Sequence, residues 1–422
     1  MSRSVVVAGG GVAGLVAARQ LAEAGLDVTV YEQRETVGGR VRSRRRKGYL
    51  LDRGFQVLLT GYPAVRRELD LEALDLRAFK PGAVIARPGR RSVLSDPLRD
   101  PTAAVDSLTN SEVTTTDKLR TLALRQDLST RTYGALLERP DRSIRAWLRE
   151  WGFSERYLSN FVAPFYGGIT LDRSLRTSKR VFEYTFKALS RGRTAVPAGG
   201  MGEISRQLAD AAEAAGATIE TGEAVTELTS KRRHAVVDTD TDRRAVDAVV
   251  VATPPRVAAR LTGVDAIPTE GIGCVTQHYR LSGPPLETGK RILLNAGDTA
   301  PNTIVPISEV APEYAPGDDL LLNATFLGDD PFETPSDALA ETTRETLDAW
   351  YPERNFEGLE PLATDRIEFA QFAQPPGVHD SLPDVRDGGR RTYLAGEYTE
   401  WSSIQGAMKS GREAAEAVLE DV

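Results

Sequence analysis

The 422-residue sequence predicts an α/β fold in which a parallel-sheet domain is assembled from separated stretches of chain and joined to a second, α+β domain. Three observations carry this expectation. The chain opens on an apolar strand, Val5-Val6-Val7-Ala8, that runs into the turn Gly9-Gly10-Gly11-Val12-Ala13-Gly14 and a helix over 15–24, and the next strand closes on Glu32. Further on, a helix over 204–215 and strands at 217–220 and 248–252 resume the same alternation, and a strand at 392–397 with a helix over 405–419 ends the chain. Finally, the length exceeds the roughly 250–300 residues at which one core stops growing.

Each residue of the opening unit has a physical task. Gly9 supplies the tight turn, Gly11 lets backbone approach a pyrophosphate, and Gly14 lets the helix pack closely on the strand, while the helix N-terminus offers its amides to phosphate. Glu32, roughly 20 residues on, stands where a carboxylate accepts hydrogen bonds from a ribose. Ala13 and Gln33 adjoin these positions and complete the Rossmann-like candidate contacts.

Composition narrows the function class. The formal net charge of -7 argues against a nucleic-acid partner. Cys274 is the single cysteine, which excludes an internal disulfide and suits a reducing cytoplasm; the three histidines, His234, His278 and His379, are scattered, so no metal cluster is legible. No window offers the 18 or so apolar residues of a spanning helix, and no charged n-region precedes the first strand. The one basic run, Arg40, Arg42 and Arg44 to Lys47, follows directly on the nucleotide motif, which favours Arg40 on a cofactor phosphate and the rest as a solvated turn.

Between the nucleotide stretches, 48–58 reads as strand and turn, and 96–187 reads as helical, with Trp147, Leu148 and Trp151 and then Tyr157, Phe161 and Phe165 at three-to-four spacing and breaks at Pro140 and Pro164. Residues 265–385 carry short apolar strands such as 292–294 and 320–322, interrupted by a helix over 336–350. The expected division is therefore 1–75, 195–262 and 388–422 for the nucleotide domain, and 76–194 and 263–387 for the second.

Nicotinamide and flavin dinucleotides share the first unit, so other residues must choose between them. After Glu32 the chain continues to Gly38-Gly39-Arg40, a second glycine pair with a guanidinium that can fork onto a pyrophosphate. At the far end, Ala395-Gly396-Glu397-Tyr398-Thr399 precedes Ser403-Ile404-Gln405-Gly406-Ala407, which joins a carboxylate suited to a ribityl hydroxyl to a helix N-terminus suited to the electron-rich edge of a reduced flavin. With these blocks, the Pro197–Met201 segment and Val225 after Gly222-Glu223-Ala224, the chain resembles the flavin-containing amine oxidase superfamily, which includes monoamine oxidases, protoporphyrinogen oxidase and plant-type carotene desaturases. The resemblance implies an FAD-binding domain and a substrate-binding domain, Val225 against the adenine, and Glu397 and Ile404 on the ribityl and isoalloxazine parts.

The sequence also departs from the pattern of the amine-oxidizing members of the superfamily it resembles. The strand 273–279 lacks the lysine that those enzymes hold near flavin N5, Lys290 sits in a Gly-flanked loop, and the terminal cage tyrosine falls at Ser403. The terminal block is more similar to that of the desaturases, with Glu397 in place of Asp. We therefore expect non-covalent FAD and a mostly apolar, isoprenoid-like substrate taken in ahead of an amine, with no catalytic side chain assigned. A flavin-dependent isomerase and a flavin-free prenyl-binding protein like the GDP dissociation inhibitors are the competing readings. Phe153, Tyr157, Phe161, Phe165 and Tyr166 are expected to line a tunnel, to touch a membrane surface, or simply to fill core, and His278 to accept a proton beside the flavin or to be a satisfied strand histidine.

Overall fold

Two sheets of different construction organise the molecule. The computed structural model describes residues 3–96, 99–100, 110–297 and 299–422, so the part of the expected helical stretch at 97–98 and 101–109 lies outside the described residues. In the first sheet, β1 (Ser4–Ala8) lies between β2 (Asp27–Glu32) and Ala248–Val251, with Thr218–Thr221 and Thr392–Leu394 outside them. Every pair is parallel. Such a sheet needs cover on both faces, and the strand alternation supplies it. Val5, Val7, Val28 and Val30 pack against Leu21, Ala414 and Val418, whereas Val6, Ala8, Val249 and Val251 pack against Val225, Val237 and Val246. Burying each such Val stabilises the fold by roughly 1.5–3 kcal/mol before entropy is counted.

The first face is covered by α1 (Val12–Glu23) and the terminal helix Ile404–Asp421, which cross in close contact: a Cβ at Gly411 would stand 2.2 Å from the Ala13 carbonyl oxygen. The second face is covered by a three-stranded antiparallel sheet, Val225–Ser230, Ala235–Thr239 and Arg243–Val246, a layer that the sequence reading did not resolve.

The second large sheet has seven strands in the order Glu360–Phe372, Gly271–Leu281, Leu320–Leu327, Thr303–Pro306, Leu293–Asn295, Ala83–Arg87 and Arg90–Leu94. It is antiparallel except where Leu293–Asn295 meets Ala83–Arg87. One face buries Val275, Tyr279, Leu322, Ala324 and Phe326 against the helix Ser336–Trp350. A small sheet of Leu58–Leu59, Thr194–Pro197 and Leu76–Ala78 bridges the segments on either side of the boundaries expected at 75/76 and 194/195.

A helical lobe completes the chain. It runs through Thr115–Thr130, Ile144–Glu150 and Lys179–Arg191, and its central rod differs from expectation. Pro164 does not break it: a π-helical turn, Leu158–Val162, passes straight into Ala163–Thr170. Proline removes one donor and crowds the preceding turn, and the wider turn just before it accommodates that loss.

Candidate functional site

A cavity of about 1070 Å³ is lined by residues of both large sheets and the helical lobe. Of the residues singled out from sequence, Gly9, Gly11, Ala13, Glu32, Gln33, Gly38, Gly39, Arg40, Val225, Gly396, Glu397 and Ile404 all line it. Gly14 does not; its Cβ would stand 2.0 Å from the Gly9 carbonyl oxygen, so this glycine sets how closely helix and turn approach. Gly9 adopts φ +109° and would bring a Cβ to 2.7 Å from the Ala252 carbonyl oxygen, whereas a Cβ on Gly11 would meet nothing within 4 Å. The first is a backbone requirement. The second leaves space in front of the amides of the helix start, which is what an approaching phosphate needs.

Both chain ends meet at this cavity. Arg40 Nη1 lies 2.6 Å from Glu397 Oε1 and donates a second bond, of 2.8 Å, to the Ala370 carbonyl. The Glu397 side chain is 7% and that of Arg40 33% exposed, so the pair is a charge-assisted contact of a buried carboxylate with a half-buried guanidinium. Glu32 is buried and accepts from the amides of Gly10 at 2.9 Å and Arg34 at 3.1 Å, which fixes its carboxylate at the end of β2. The terminal helix starts with Ser403 as its cap, the hydroxyl accepting from the Gly406 amide at 2.8 Å, and points its N-terminus at the cavity beside Ile404.

Several lining residues escaped the sequence reading. Arg53 lowers its own affinity for a proton through burial, and Arg34, Arg40 and Arg44 push it further down against the opposing charge of Asp365. Crowded guanidinium groups of this kind favour an anion among them. Arg40 and Arg256 lie over the same Phe369 ring, at 5.8 and 5.9 Å from its centroid. Thr253 carries a buried hydroxyl with no hydrogen-bond partner at the end of the Ala248–Val251 strand. These groups fit a dinucleotide: open backbone amides, an orphaned hydroxyl and clustered guanidinium groups line the same cavity. The Asp52-Arg53-Gly54 turn and the Thr253-Pro254-Pro255 strand end were the available sequence signals.

The other blocks have structural tasks. Within the Pro197–Met201 segment, the Met201 amide donates to the buried Asp52 carboxylate at 2.8 Å, and Tyr314 donates to the same carboxylate at 2.9 Å; the segment does not line the cavity. His278 does not line it either. It is fully buried between Asn323, 2.9 Å from Nδ1, and Asp365, 3.1 Å from Nε2, so it is the satisfied strand histidine. Burial pushes the Asp365 carboxyl up, but the bonds from His278 and Arg44 prevail and hold it well below the usual carboxylate range.

The far end of the cavity is aromatic. Tyr157, Phe161, Phe165 and Tyr166 line it, while Phe153 lies in the core, stacked on Tyr157 at 4.8 Å. Phe161 and Phe165 continue the stack at 5.4 Å. Trp401, with Tyr62 edge-on at 5.9 Å and Tyr184 at 4.3 Å, lies at the junction of the two ends. Among the described residues there is no group of three or more His, Cys, Asp or Glu side chains placed to hold a metal, and no helix long and apolar enough to cross a membrane.

Comparison with known proteins agrees with this construction. A phytoene dehydrogenase of Streptomyces griseus is 29% identical over 288 residues, a stretch covering 61% of this chain and about half, 56%, of that protein. A probable zeta-carotene desaturase of Synechococcus elongatus is 26% identical across 99% of this chain and 98% of its own. The crystal structure of a putative protoporphyrinogen oxidase from Exiguobacterium sp. 255-15 superposes with a TM-score of 0.74 at 17% identity, covering 100% of this chain and 99% of that one, a likeness of fold. Residues 12–419 match the family model of flavin-containing amine oxidoreductases, and the chain belongs to that family of flavin-dependent enzymes.

Proposed function

We propose that this oxidoreductase binds FAD non-covalently along the Gly9 to Glu397 wall and oxidises a mostly apolar, isoprenoid-like substrate held at the aromatic end. The observation that carries the reading is the continuity of one cavity from the Arg40–Glu397 pair to the Tyr157, Phe161 and Phe165 stack. When bound, the flavin supplies a hydride acceptor at N5. The chain's own residues then have to orient a donor carbon and exclude water, and stacked rings do both without a titrating group. The strand Gly271–Leu281 offers no lysine to hold a water, which weighs against an amine. The relatives named for phytoene and zeta-carotene point the same way.

Non-covalent binding is supported by the one cysteine at the cavity. Burial pushes the Cys274 thiol up to about 11, so the thiolate that a covalent flavin bond would need is scarce. The test is an absorption spectrum of the purified protein followed by acid precipitation and anaerobic bleaching with polyenes and amines. A flavin spectrum, flavin released to the supernatant and bleaching by a polyene are expected. Flavin retained in the pellet would overturn the non-covalent part, and bleaching by an amine alone would overturn the substrate class.

A further inference from the structure

One face of the antiparallel sheet carries two kinds of polar residue, and only one of them lines the cavity. Thr276, Thr325 and Thr303 are register partners across three neighbouring strands, and all three line the cavity. Two residues along, on the same face, His278 opposes Asn323 on the same two strands, and its ring bonds both Asn323 and Asp365. The histidine row is internally satisfied. The threonine row is not: among the described residues the buried Thr325 hydroxyl has no hydrogen-bond partner, and the equally buried Thr276 hydroxyl has the Cys274 thiol beside it, a weak partner. Thr276 is 0% and Thr325 5% exposed.

Leaving a buried hydroxyl unpaired costs about 1–3 kcal/mol, and valine has nearly the same shape and equal preference for a strand. An unpaired Thr325 hydroxyl beside a Thr276 hydroxyl held only by a weak thiol contact is therefore a standing cost to the fold unless something in the cavity meets them. Directly opposed residues carry their Cβ atoms roughly 4.5–5.5 Å apart, close enough for one oxygen to reach both hydroxyls. Threonine can donate or accept, which suits a hydroxyl or a carbonyl. An ammonium group is a poorer match, because the carboxylate of this row, Asp365, is already engaged by His278 and by Arg44 at 2.8 Å.

We propose that Thr276 and Thr325 form a polar clasp for a single neutral oxygen group, hydroxyl or carbonyl, on an otherwise apolar substrate, so that the natural substrate is an oxygenated isoprenoid-like molecule rather than a bare hydrocarbon. This rests on the apolar-substrate reading above and sharpens it. The probes are all-trans-retinol and the matched hydrocarbon in which its hydroxymethyl group is a methyl, titrated into the flavin-loaded enzyme with quenching of protein fluorescence as readout, Trp401 lining the cavity. The enzyme should hold the alcohol about tenfold more tightly than the hydrocarbon, the worth of one or two hydrogen bonds. The double variant Thr276→Val/Thr325→Val should weaken the alcohol alone and equalise the two, while its ligand-free form melts no lower than the parent. Thr325→Ser, which keeps the hydroxyl, should retain the preference and serves if the double variant does not fold. Equal binding of both probes by the parent, or a preference that survives the double valine variant, overturns the clasp and leaves the apolar reading standing. Failure of both probes to bind while benzylamine does bind removes the apolar reading and the clasp together.

Discussion

The two ends of the cavity are built by different means. At the Gly9 to Glu397 end, backbone geometry and charge dominate: Gly9, Gly14 and Gly411 allow contacts that a Cβ would block, and Arg40 closes on Glu397 at 2.6 Å. At the far end, side-chain surface dominates, with stacked rings on one wall and a threonine row on the other. The contrast teaches that the first end tolerates almost no change of shape because its donors are backbone groups, whereas the second can be altered one side chain at a time.

The comparison is broken most directly at Gly14. Gly14→Val would drive side-chain atoms into the Gly9 carbonyl, which stands 2.0 Å from the first of them, and we expect a loss of about 3 kcal/mol or more with disappearance of bound flavin. Flavin absorbance per mole of protein and the melting temperature check it; a stable, yellow variant would show that this turn is not rigid. Next in size is Arg40→Ala, which leaves Glu397 buried without its cation. Flavin affinity should fall by about 2–3 kcal/mol, roughly 30- to 150-fold, measured by reconstitution of the stripped protein, while the aromatic end still binds an apolar probe.

The seam between the ends offers a pH test. Gln374 Oε1 accepts from the Ser402 amide at 3.0 Å and lies 3.3 Å from His379 Nε2. Burial lowers the His379 imidazole to about 4, against an ordinary value near 6.5. Because the folded state prefers the neutral ring, its contribution is fully present above pH 6.5 and is lost as pH falls toward 4. At pH 5 the loss is about 2 kcal/mol. His379→Gln should flatten the stability profile between pH 7 and 5 relative to the parent, read by chemical denaturation; parallel profiles would remove the assignment. The smallest expected effect is at the far end. Phe161→Ala should keep flavin content unchanged and weaken an apolar probe about tenfold, and a fall in flavin content instead would mean that the two ends are not separable.

How much of this was legible in the chain follows the same divide. The residues of 5–14, Glu32, Arg40 and Glu397 could be read because each pattern is local: a strand, a turn of fixed geometry and a helix start lie within a few positions. The histidine was readable only as an alternative, since nothing in 273–279 tells which face of the strand looks into a cavity. Arg53 and Thr253 were passed over for a related reason; each belongs to an ordinary turn or strand end until another segment is laid against it. Pro164 misled, because the sequence marks a helix stop and the π turn at Leu158–Val162 that absorbs the proline depends on packing.

By itself, then, the sequence determined the opening strand, glycine turn, helix and second strand and the capped start of the terminal helix, because glycine positions and capped helix starts fix backbone shape over short distances. Only the tertiary structure decided that Arg40 and Glu397, 357 positions apart, form one ion pair, and that Thr276 faces Thr325 rather than a partnered neighbour. Strand register and the docking of chain ends are set by the summed burial of residues far apart in the chain, and no local spacing records them.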